Sequence, residues 1–228
     1  MRAALLALLL AYIPSADSLL KHAAARARSL RTREVTLTGT LAVSGEPQRP
    51  AQLILKFPLQ CRLEGEGGPS LSVKGTAQSP EGVAEGTSGP ALRLLQLACP
   101  LLAYRGIPAA DAPQALKLAA LASGANLGAG TGLSRFDDRV AYVLGAGSRD
   151  TAAPQLWIYK DSYAPARLIA QGGADLRLLE YGNPAAAEWF PRVIELWTSG
   201  HLAARFEALE SKGVRGTPQQ EEEEDSDE

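Results

Sequence analysis

Along much of this chain, apolar and polar residues take turns. From Arg33 to Val43, the positions Val35, Leu37, Leu41 and Val43 alternate with Glu34, Thr36, Thr38 and Thr40. That is the period of a strand buried on one face, and Gly39 inside it predicts a bulge or a close backbone contact. Leu53, Leu55, Phe57, Cys61 and Leu63 share one parity in the next extended stretch, which Pro58 interrupts. A proline there predicts an edge position or a break, because it cannot donate to a ladder. Leu71 and Val73 form a short strand after a Gly-rich turn, and 75–90, rich in Gly, Ser, Thr and Pro, reads as loop with a weak strand. Further strands are predicted at Arg139 to Leu144, Leu156 to Tyr159, Ala166 to Gln171, Ala174 to Tyr181, Phe190 to Trp197 and His201 to Glu210. Turns such as Lys160-Asp-Ser, Gly172-Gly173 and Thr198-Ser-Gly200 separate them. Strands punctuated this regularly imply an antiparallel meander rather than βαβ units.

Three segments carry the helical period instead. Leu19, Ala23, Ala27 and Leu30 lie on one face of a helix over 19–30. A second helix runs from Pro90 to Ala98, with Pro100 just after its last turn. A third starts at Asp111-Ala-Pro-Gln, with Asp111 as the expected N-cap and Pro113 in the first turn, and Gly124 ends it. Together these elements predict an α+β fold, an incomplete, half-open antiparallel β-barrel of about ten strands wrapped around two or three helices.

Composition narrows the picture. Of 228 residues 46% are apolar, and the formal net charge is −2. The balance is uneven: Glu221 to Glu228 hold seven acids, whereas 19–220 carry 22 bases and 17 acids, a net of +5. The 17 arginines and six lysines are scattered, so nucleic-acid binding is not indicated. From Thr217 onward the chain offers only Thr, Pro, Gln, Ser and acids, and 216–228 is expected to stay disordered. The amino terminus has Arg2 followed by an uncharged, mostly aliphatic run from Ala3 to Ile13, which Pro14 breaks. This is the layout of a secretory signal over 1–18, cleaved after Ala16 or Ser18; the alternative is a buried N-terminal helix. The run is shorter than the roughly 20 residues that span a bilayer. Export would put Cys61 and Cys99 in an oxidising compartment, where an even count suggests a disulfide closing a 39-residue loop. Two buried free thiols are the alternative.

No catalytic constellation stands out, and the expectation is a protein that is not an enzyme and uses no cofactor. Two His and two Cys are too few for most zinc sites. His22 falls in the first helix and His201 in a turn. Asp137-Asp138 reads as a turn satisfying its own backbone. Gly128-Ala-Gly-Thr-Gly132 follows a helix rather than a strand, so it lacks the context of a phosphate cradle. What remains is the apolar face of the curved sheet. It can enclose a cavity for acyl chains, each buried methylene contributing about 0.8 kcal/mol, or it can be closed core.

Several segments resemble the LolA group of lipoprotein carriers and related outer-membrane lipoprotein-sorting proteins. Leu53-Ile-Leu-Lys-Phe-Pro-Leu-Gln-Cys-Arg-Leu-Glu64 is similar to the group's strand that ends in Pro, followed by Arg and an apolar residue. Leu156-Trp-Ile-Tyr-Lys-Asp161 with Ala164-Pro-Ala-Arg-Leu168 looks like its Trp-Ile-Asp, Pro-x-Arg hairpin. Tyr181, Trp189-Phe-Pro-Arg192 and Ile194-Glu-Leu-Trp197 look like its closing strands. The resemblance covers roughly 19–212. It implies a carrier domain over 19–215, monomeric and periplasmic, that shields the acyl chains of lipoproteins or lipid. Its partners would be an inner-membrane release complex and an outer-membrane acceptor. Cavity-lining candidates are Leu53, Leu55, Phe57, Val73, Val140, Tyr142, Leu156, Ile158, Ile194 and Leu196, with Arg62 or Phe57 at the mouth. The same fold also serves a non-catalytic envelope stress-sensing or regulatory protein, for which the apolar interior would be closed core. The Cys61/Cys99 pair, the 75–90 loop, the Ala-rich third helix and the acidic tail have no counterpart in the group.

Overall fold

The alternation seen in the sequence becomes one antiparallel sheet. The computed structural model describes residues 13–27, 32–108, 110–147, 149–186 and 189–215. Its twelve strands are β1 (Thr32–Val43), β2 (Arg49–Lys56), β3 (Gln60–Gly65), β4 (Leu71–Lys74), β5 (Val83–Glu85), β6 (Thr131–Phe136), β7 (Arg139–Leu144), β8 (Gln155–Tyr159), β9 (Pro165–Ile169), β10 (Ala174–Tyr181), β11 (Pro191–Thr198) and β12 (His201–Arg215). They lie in the order β5-β4-β3-β2-β1-β12-β11-β10-β9-β8-β7-β6. Strands consecutive in sequence are neighbours in the sheet, except β5 and β6, and β1 pairs with β12 to join the two halves. β5 and β6 are the two edges and do not pair with each other, so the barrel is open. Three helices, α1 (Ala16–Ala27), α2 (Pro90–Leu102) and α3 (Ala112–Ala122), complete the α+β architecture.

The helices cover one face of the sheet, and the register shows how continuous that inner face is. Leu144, Leu156, Leu168, Leu176, Leu196, Ala204 and Val43 are successive partners across seven strands. All seven are buried in the main core. A second row joins Leu178, Ile194, Phe206 and Leu41, and a third joins Leu37, Leu53, Leu63 and Leu71. Cross-strand apolar pairs of this kind are the unit of sheet stability. Helix α2 packs directly on β3, β4 and β9 to β12, whereas α1 packs mainly on α3. The disulfide between Cys61 and Cys99 ties α2 to β3, with Cα atoms 5.8 Å apart. Asp17 and Lys117 tie α1 to α3 at 3.0 Å.

The outer face is polar on β10 to β12. Arg167 and Arg177 share Asp175 at 2.7 and 2.9 Å. Glu195 bonds Arg205 at 2.6 Å, and Glu207 joins Arg205 to Arg192. Farther along the sheet β7 to β9 are buried on both faces. Trp157 and Tyr159 sit in a second cluster with Ala141, Val143 and Ala166, flanked by Phe136 and Tyr181. The Trp157 indole N–H donates to Gln155 at 2.8 Å. The Gln155 amide in turn donates to the carbonyl of Gly147 at 3.0 Å and to that of Asp150, folding the loop over the sheet.

Some elements differ from expectation. β6 lies where no strand was expected, and the Asp137-Asp138 turn joins it to β7 with both residues at positive φ (51° and 57°). Helix α2 runs through Pro100 to Leu102. Leu101 and Leu102 are each 1% exposed, so packing of the last turn outweighs the backbone bond that proline forfeits. Asp111 makes no side-chain cap to α3. His201 opens β12 rather than lying in a turn. Helix α1 spans both expected cleavage positions, Ala16 and Ser18, with Leu19 and Leu20 buried. Residues 1–12 of the signal expected over 1–18, and the acidic tail over 216–228, lie outside the described residues.

Candidate functional site

The inner face and its helical cover form the candidate site. Eight of the ten residues nominated from sequence, Leu53, Leu55, Val73, Tyr142, Leu156, Ile158, Ile194 and Leu196, come together in the main core. Phe57 is partly buried at its margin, its ring 6.1 Å from that of Phe190. Val140 stands apart at 38% exposure, outside the core. Arg62 is a correction as well. It lies on the outer face, paired with Glu64 at 2.6 Å and donating to Ser70 at 2.8 Å, so it is not at an inner mouth.

The inner face is reached by a cleft of about 270 Å³ between α2 and α3. Its walls are Leu97, Pro100 and Leu101 from α2 and Ala119, Ala122 and Ser123 from the end of α3; Leu168 of β9 lies within it. Arg93, Gln96, Glu81 and Gly82 complete its lining. Small residues on α3 make the space: an alanine reaches less far toward α2 than the leucines that face it. None of the cleft residues was nominated from sequence, although Leu168 belongs to the quoted hairpin. A second hollow of about 250 Å³ lies over β1 to β4 and is lined by Lys56, Arg62 and Lys74 among others. It has more charged residues than the cleft: Glu34, Lys56, Arg62 and Lys74 against Glu81 and Arg93.

Beyond the cleft, α2 ends in a short 3-10 turn, Tyr104–Gly106. The Tyr104 hydroxyl donates to the Ala23 carbonyl of α1 at 3.2 Å, tying the turn to the outer helix. Tyr181 donates to the Pro165 carbonyl at 2.8 Å. Burial pushes the phenols of Tyr104, Tyr159 and Tyr181 up from their ordinary value, since the low-dielectric interior disfavours the charged form. The linkage has one sign. Below pH 10 the phenols are protonated in both states; above it, the unfolded chain releases protons that the folded chain retains. Stability is therefore expected to fall as pH rises through 10 and beyond. Urea unfolding midpoints between pH 8 and 11 measure this, and a flat profile would contradict it.

No protein-family profile matches the sequence, and no curated protein does. Solved structures do align. A DUF1329 family protein from Desulfovibrio piger superimposes with a TM-score of 0.51 at 10% identity, covering 90% of this chain and 95% of that one. The two chains share a fold. A LolA superfamily protein from Nitrosomonas europaea aligns at a TM-score of 0.43 and 15% identity, over 90% of this chain and 96% of its own. A putative outer membrane lipoprotein-sorting protein domain from Vibrio parahaemolyticus aligns at 0.41 and 12%, over 90% and 96%. Among the described residues, no helix is long and apolar enough to cross a membrane.

Proposed function

We propose that this protein binds acyl chains between its sheet and its helices, as a non-catalytic periplasmic carrier of lipoproteins or lipid. The observation that carries the reading is the cleft between α2 and α3, which reaches Leu168 in the seven-strand apolar row of the inner face. An acyl chain needs no specific partner there. It needs a continuous apolar surface and a way in, and each methylene it buries contributes about 0.8 kcal/mol. The helical cover suits that role. Disulfide-tied α2 stays on the sheet, while α1 and α3, packed on each other, form an outer unit that can separate from it. Transfer from an inner-membrane release complex to an outer-membrane acceptor, and an export signal over 1–18, complete this reading through the sequence resemblance.

The test is uptake of a fluorescent fatty-acyl probe by the purified protein, with lipid extracted from it and examined by mass spectrometry. Ala122 is exposed and lines the cleft. Ala122→Trp is expected to weaken probe binding at least about tenfold without lowering Tm, since the indole fills the opening rather than the core. A wild-type protein that carries no lipid and takes up no probe would sink the carrier reading. A second reading draws on the tight packing of the inner face, where Leu55 and Ile194 are 0% exposed. The interior would then be closed core, and the protein a regulatory partner of another envelope protein. Recovery of one membrane signalling protein, with no lipid, would favour it.

A further inference from the structure

Arginines on the outer face of this protein are paired with carboxylates: Arg167 and Arg177 with Asp175, Arg192 with Glu180, Arg205 with Glu195. Arg105 is different. It sits in the 3-10 turn at the end of α2, and its Nη2 donates to the Trp189 carbonyl at 2.5 Å. Its Nε and Nη1 are sealed from solvent and have no hydrogen-bond partner. The guanidinium carbon lies 4.6 Å from the centre of the Phe190 ring and 5.9 Å from that of Trp189. The titratable groups that act on it are the phenols of Tyr104 and Tyr181, which burial keeps protonated and therefore neutral. Ring faces and the C-terminal end of α2 offer partial negative charge, but no acceptor for Nε or Nη1. Burying a cation without its counter-ion costs stability, so packing alone gives no reason for an arginine here.

The location supplies one. Arg105 follows the helix that walls the cleft, four residues beyond Leu101, which is about 6 Å along a helical path. A chain lying along α2 with its tail on the inner face can bring its head to this turn.

We infer that Arg105 receives an oxyanion, a carboxylate or phosphate, carried as the head group of the acyl ligand. This assignment rests on the acyl-binding reading above. In the closed form the guanidinium is parked on the Trp189 carbonyl and the Phe190 ring. When the ligand separates the helices, the unspent N–H bonds of Nε and Nη1 turn to its oxygens. A charge-assisted hydrogen bond in so dry a place distinguishes an acid from its ester strongly.

Displacement of the fluorescent acyl probe by palmitate and by methyl palmitate tests this. The wild-type protein is expected to bind the acid at least about tenfold more tightly than the ester. In Arg105→Met the acid-to-ester ratio falls to about one, whereas Arg135→Met, on the edge strand β6, keeps the wild-type ratio. Arg105→Lys, with the charge but fewer donors, lowers the ratio and serves if Arg105→Met fails to fold. Acid and ester binding equally well to the wild type, or a ratio that survives in Arg105→Met, would overturn the head-group site and leave acyl binding standing. If neither ligand displaces the probe because none binds, both readings fall. Inorganic phosphate that binds through Arg105 while acid and ester stay equal would mark a free-oxyanion site and overturn the lipid head group.

Discussion

Replacing Cys61 and Cys99 together by alanine is expected to lower Tm by about 10 °C. The cross-link joins residues 38 apart, and the chain-entropy relation for a loop of that size gives about 4 kcal/mol from restriction of the unfolded state. At 2–4 °C per kcal/mol for a chain of this length, that amounts to about 10 °C. The bond also has a structural task. It holds α2 against β3 near the short edge of the sheet, where β4 and β5 have only four and three residues. Loss of the bond should therefore loosen this end first, visible as faster amide exchange in β3 to β5 than in β10 to β12. Thermal unfolding of the double mutant and of the parent, both without reductant, measures the main effect. A drop of less than about 2 °C would mean that Leu94, Leu95 and Leu101 hold α2 by packing alone.

Gly39→Ala is expected to cost about 3 kcal/mol, a large effect for one methyl group. A Cβ at this position would stand 1.9 Å from the Glu207 carbonyl oxygen and 2.9 Å from the Ala208 Cα. Both are backbone atoms of β12, so no rotamer change relieves the clash. The register shifts here, between Thr38 and Gly39, and the bulge leaves Leu209 61% exposed. A side chain would force the central strand pair apart, and neighbouring ladders would move with it. Chemical denaturation of the variant measures the loss; a change within 0.5 kcal/mol, the range of ordinary surface substitutions, would show that the bulge relaxes freely.

Gly39 was readable beforehand because one glycine interrupted a clean alternation. The same logic located β1 and β10 nearly to the residue, since each has one wet and one dry face. It failed on β6, where Thr131-Gly-Leu-Ser-Arg-Phe has no alternation to read: its residues are half-buried on both sides of an edge. It also misplaced the end of α2, because proline's intrinsic cost was weighed without the burial of Leu101 and Leu102 that outweighs it. Strand parity named most residues of the inner face. The cleft was not legible, since it depends on how far two helices stand apart. Arg105 was not legible either. Nothing in Tyr-Arg-Gly separates a sealed guanidinium from a solvated one; only the fold brings Trp189 and Phe190 to it.

The pairing of β1 with β12 has a consequence for how the chain reaches this state. Thr32 is the partner of Arg215, so the central seam of the sheet joins residues from near the two ends of the sequence. Contacts so distant in sequence form slowly, because loop closure must precede any gain from them. The hairpins of β2 to β5 and of β6 to β11 can assemble early, each leaving an unpaired edge. The middle of the sheet is then made last, and until β12 has been synthesised the two halves have no strand to join them. The order of assembly is thus the reverse of the order in space: the flanks come before the centre, and the nascent chain passes through a stage with open strand edges exposed.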